Sequence, residues 1–84
     1  MKQLFETLLD QQFARARQDR LRTIDVNAGR LHRSVGRYPD PHKHRMPVCC
    51  EVMRSRMKSG DQVLYAPPKG NGSTFTVRYW VDPQ

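Results

Sequence analysis

The sequence predicts a small α+β domain with winged-helix-like order: three helices, a short strand between the first two, and a C-terminal β-hairpin. Three observations carry this reading. Apolar residues recur at helical spacing near the start of the chain, alternating β-rich runs close it, and Pro and Gly divide the middle into short helical pieces. The 84 residues make one domain, 1–84. A chain this small buries only roughly 60–65% of the surface it exposes when unfolded. Some apolar surface is therefore expected to seek a partner, most simply a second copy of the chain.

Residues 3–19 form the first predicted helix. Leu4, Phe5, Leu8, Leu9, Phe13 and Ala16 make one apolar stripe, and no Gly or Pro occurs before Gly29. Arg15, Arg17, Arg20 and Arg22 gather at its C-terminal end, where cations suit the helix dipole. The stripe packs on the domain by default and serves as a dimerisation or accessory element otherwise. "RTIDV", residues 22–26, reads as a short strand. Asn27 is the expected N-cap of a second helix, 28–35, with Ala28, Leu31 and Val35 buried, Arg30, Arg33 and Ser34 facing away, and Gly36 as its stop. "RYPDPHKHR", residues 37–45, is a proline-restricted loop.

Pro47 marks the first turn of the third predicted helix, which the pattern carries to about Ser59 with Gly60 as terminator. At 100° per residue, Met46, Cys49, Cys50, Met53 and Met57 share the buried face, opposite Val48, Glu51, Val52, Ser55 and Lys58. The remainder is the hairpin. "DQVLYAP" and "STFTVRYWV" flank the turn-forming "PPKGNG"; Phe75, Val77, Tyr79 and Val81 line the core face, and Thr74, Thr76, Arg78 and Trp80 the other.

Charge points to a partner. The net charge is +7, and residues 11–58 alone carry +8, with ten of their twelve cations arginine. Arginine forks suit phosphate, and a basic patch favours a polyanion. The expected function is nucleic-acid binding, with duplex DNA as partner and no enzymatic activity. The expected phosphate contacts are Arg30, Arg33, Arg37, Lys43, Arg45, Arg54 and Lys58, with Lys69 on the hairpin loop reaching the next groove. The third helix is a poor DNA reader, because Glu51 repels phosphate and Val48 and Val52 clamp nothing. That mixed face supports an alternative, a protein-interaction module of winged-helix type that buries Val48 and Val52, or the N-terminal stripe, against a partner. The gap of about ten residues between the second and third helices also exceeds the three or four of a DNA-reading helix-turn-helix.

Other chemistries are disfavoured. His42, His44, Cys49 and Cys50 are zinc-type ligands at the wrong spacing, and adjacent helical cysteines diverge, so they read as core sulfur and loop imidazoles, with no metal or cofactor expected. His32 reads as a partly buried surface residue. "KGNGST" lacks the Lys-Ser/Thr step and following helix of a P-loop. A single-stranded RNA surface needs aromatics on an open sheet; of Tyr65, Phe75, Tyr79 and Trp80, only Trp80 falls clearly on the polar face.

The segments "LHRSVG", "HRMPVCC" and "APPKG" resemble a family of short bacterial proteins of unknown function over residues 28–72. The resemblance implies a bacterial source and carries no sites. The start "MKQLFETLLDQQF" is broken by Glu6 and Asp10, so no targeting or membrane segment is expected and the location expected is cytoplasmic.

Overall fold

The computed structural model describes residues 2–34 and 45–81. The elements run α1 (Lys2–Gln18), β1 (Thr23–Asn27), α2 (Ala28–Ser34), α3 (Met46–Ser55), β2 (Gln62–Tyr65) and β3 (Thr76–Trp80). The strands form one three-stranded antiparallel sheet in the order β1-β3-β2. The lone strand of the sequence reading thus joins the hairpin, with Ile24 opposite Tyr79 and Val26 opposite Val77.

The three helices cover one face of this sheet. Phe5 and Leu9 of α1, Leu31 of α2, Cys49, Cys50, Val52 and Met53 of α3, and Phe75, Val77 and Tyr79 from the hairpin form a common core. Leu8 and Phe13 pack against it, whereas Leu4, at the start of the same stripe, is exposed. Tyr79 sits at the centre. Its hydroxyl donates to the Met53 carbonyl at 2.6 Å, which satisfies the one polar atom its burial would otherwise strand. Phe13 meets its ring edge-on at 4.9 Å. At the surface, Asp10 of α1 accepts from Arg56, just past α3.

The helix ends show which local signals the chain obeys. Asn27 caps α2 as expected, its Oδ1 accepting the Arg30 N–H at 3.1 Å. Val35 and Gly36, the expected end of that helix, lie outside the described residues. α1 closes without glycine: Arg20 takes φ 59°, and the Leu21 N–H reaches back to the Ala16 carbonyl.

Two expectations for α3 are corrected. The helix ends at Ser55, not near Ser59. The chain turns through Arg56 and Met57, and Asp61 then accepts from the Lys58 backbone N–H, so Gly60 (φ 96°) serves the turn into β2. The buried face is also wider than the helical wheel allows: Val52, placed on the exposed side, is fully buried, while Met46 and Met57 are only partly covered. α3 packs against both α1 and α2, so a single narrow stripe cannot describe its buried arc.

Candidate nucleic-acid interface

Arg30 and Arg33 lie one turn apart on α2, both exposed, and neither side chain has a hydrogen-bond or salt-bridge partner among the described residues. Lys69 is likewise exposed and unpaired among the described residues. It sits on the β2–β3 loop, and that loop does not project as a free wing. Its later part folds back across the start of α2 and the middle of α3. The Gly29 N–H donates to the Ser73 carbonyl, the Ala28 N–H to the Phe75 carbonyl, and the Cys50 thiol to the Gly72 carbonyl. Glycine at position 29 permits this approach, because a Cβ there would meet the Ser73 oxygen at 3.0 Å. Arg30 therefore follows directly on the α2 turn to which the loop is bonded, and Lys69 lies on that loop.

The remaining predicted contacts fare differently. Arg54 is committed to the fold: its guanidinium donates to the Gly70 carbonyl and to Asn71, and lies 4.4 Å over the Phe75 ring. Lys58 is held by the Asp61 carboxylate and the Trp80 carbonyl. Phosphate would have to compete with these bonds, which lowers the worth of both residues as contacts. Arg45 is half-buried just before α3, its carbonyl accepting the Cys49 N–H. Arg37 and Lys43 lie outside the described residues, as do His42 and His44.

The basic segment is thus divided in space. Arg30 and Arg33 lie on the helix that follows directly on the C-terminal end of β1, and Lys69 lies on the β2–β3 loop whose later residues bond to the start of that helix. Arg15, Arg20 and Arg22, also without side-chain partners among the described residues, stand near the N-terminal end of β1. A shallow hollow of about 270 Å³ beside the second group brings Asp19 and Asp25 next to Arg15, which makes it a poor phosphate pocket. Sequence reasoning set the second group aside as helix-dipole cations; its separation from the first becomes visible only once β1 is placed between them.

The thiols are interior. Cys49 and Cys50 are fully buried and unbridged, and they donate to the carbonyls of Ala28 and Gly72 at 3.6 Å. Burial, with the neighbouring Cys50 adding to it, pushes the Cys49 thiol up to about 12. That is the reverse of what a nucleophile or metal ligand requires. Among the described residues no group of three or more His, Cys, Asp or Glu is placed to hold a metal ion. The docking patch built on Val48 and Val52 is also overturned, since Val52 has no exposed surface and Val48 is only partly exposed.

No family model, curated protein sequence or solved structure matches the chain. Among the described residues no helix is long and apolar enough to cross a membrane.

Proposed function

We propose that the protein is a non-enzymatic, winged-helix-like DNA-binding domain that grips the phosphate backbone through Arg30, Arg33 and Lys69. The observation that carries this reading is the group of exposed cations on α2 and the loop folded against it, with no acid paired to their side chains among the described residues. Element order supports it: helix, strand, helix, helix and hairpin is the winged-helix order. The recognition role of the third helix drops out, because Val52 is core and Arg54 and Lys58 are engaged within the domain. What remains is sequence-tolerant backbone binding, which loses affinity steeply as salt rises. A cytoplasmic location and a bacterial source belong to the same reading.

The test is a gel shift with generic duplex DNA at low and moderate salt. The double variant Arg30→Glu, Arg33→Glu should abolish the shift, and the wild-type complex should weaken with salt. An unchanged shift in the variant overturns the assignment.

A further inference from the structure

The sheet has two edges, and they differ in kind. β2 is bulged between Val63 and Tyr65 and is soon followed by Pro67 and Pro68. β1 pairs with β3 in unbroken register from Thr23 to Asn27 and contains no Pro. Its bonds to β3 run through alternate residues. The Val81 N–H donates to the Arg22 carbonyl, and the Ala28 N–H to the Phe75 carbonyl. By the two-residue repeat of an antiparallel ladder, Ile24 and Val26 also aim at β3, and Thr23 and Asp25 aim their N–H and C=O groups away from it. Among the described residues no strand lies on that side. Such an edge is a template for one more strand.

The space beside this edge can take side chains. The hollow of about 270 Å³ lies between α1 and β1, with Gln12, Arg15 and Ala16 on one wall and Ile24 and Asp25 on the other. Leu21 also lines it and is 46% exposed. Ile24 stands opposite buried Tyr79, so the hollow lies on the helix side of the strand, and by alternation Arg22 shares that side. An added strand would send every second side chain into it. The surroundings are basic. Asp25 is paired with Arg78, which leaves Asp19 alone against Arg15, Arg20 and Arg22, and none of these four side chains has a partner among the described residues.

We propose that this groove binds an extended acidic segment of a partner protein. The segment adds to β1 as an antiparallel fourth strand, seats an apolar side chain in the hollow and sets carboxylates against the arginines. Charge argues against a second copy as the occupant: each chain carries +7, and joining two β1 edges would bring the same arginines together. Nucleic acid lacks the alternating N–H and C=O groups that a strand edge pairs with. The groove uses none of the residues of the DNA grip, goes beyond that reading and does not rest on it.

The probe is a capped, labelled nonapeptide of alternating Glu and Thr, with Ile in place of the central Glu. Alternation puts Ile and the Glu residues on the helix side, and the Thr residues on the other, with the Thr N–H groups facing β1. The peptide should bind, and amide hydrogen exchange at Thr23 and Asp25 should be fast in the free chain and slow in the complex. Methylating the backbone nitrogen of one Thr beside Ile should weaken binding on the order of tenfold. Methylating that of Ile, which points away from β1, should not. Exchanging every Glu for Lys should abolish binding, and Arg15→Glu with Arg22→Glu should weaken it on the order of tenfold. The methylated peptides test the edge on the wild-type chain, so the outcome does not hang on the folding of that variant. Absent binding, unchanged exchange at Thr23 and Asp25, equal effects of the two methylations, undiminished binding of the Lys peptide or undiminished affinity in the arginine variant would each overturn the proposal. So would protection of these amides that rises with protein concentration alone, since a second copy would then hold the edge.

Discussion

Val63 and Val77 are the same residue, in register with each other on neighbouring strands, yet Val77 is fully buried and Val63 is 45% exposed. The difference extends along both arms of the hairpin. β3 lies between two strands with the helices over one face, and its residues alternate between buried and exposed. β2 has one strand beside it, and all four of its residues are exposed. Both arms read as β-rich and partly apolar. An edge strand receives neither a second neighbour nor the full cover of the helices, so similar residues contribute very different amounts of burial. Its bulge and the following Pro67 and Pro68 are features that blunt an edge against pairing with another chain.

The comparison can be broken most forcefully at the tyrosines. Tyr79→Ala removes a fully buried ring and should cost about 3–5 kcal/mol, a large share of the total stability of so small a domain. Tyr65→Ala on β2 should stay within about 0.5 kcal/mol. Urea unfolding of both variants decides it, and equal losses would mean that β2 is covered. The valine pair is a finer test of the same contrast. Val77→Ala should cost about 2 kcal/mol by the carbon atoms it removes from the core, and Val63→Ala about 0.5 or less, read from the same unfolding midpoints.

A smaller effect should appear in alkali. Burial raises the ionisation of the Cys49 thiol to about 12 and raises that of the Tyr79 hydroxyl as well. The unfolded chain therefore releases these protons first. The stability they confer is whole below the unfolded thiol value of about 8.5 and is lost as pH rises toward 12. Unfolding midpoints measured from neutral to alkaline pH should fall, and Cys49→Ala should flatten the early part of that fall.

The weakest expected effect is at the exposed cross-strand pair. Arg78 donates two bonds to Asp25, which holds that carboxyl below its ordinary value. The pair's contribution is present above the unfolded carboxylate value and lost as pH falls through the folded one. Both side chains are nearly half-exposed, so solvent screens the interaction. Asp25→Asn should leave the neutral-pH midpoint close to wild type, and a large drop would show that β1 depends on this pair more than on its core contacts.

Much of the architecture was legible because it rests on local rules. The period of α1, the cap at Asn27, Pro47 at the start of α3 and the inward row Phe75, Val77, Tyr79 and Val81 all follow from spacing and residue chemistry, and all are present. The candidate site was less legible. The positions of Arg30 and Arg33 on the exposed side of α2 follow from its period, but nothing in the order of residues says that Arg54 and Lys58 would be used up on carbonyls and carboxylates distant in the chain or across a turn.

The kinds of element, their order and the excess of arginine follow from residue order alone, because helical period, alternation and formal charge are properties of neighbouring residues. Which of those features end up inside the fold depends on long-range packing. Val52 is core because α3 packs against two other helices, and Tyr65 reaches the outer face because one extra residue in β2 reverses the alternation that follows it. Burial and register are set by what stands across from a residue, and that partner lies elsewhere in the chain.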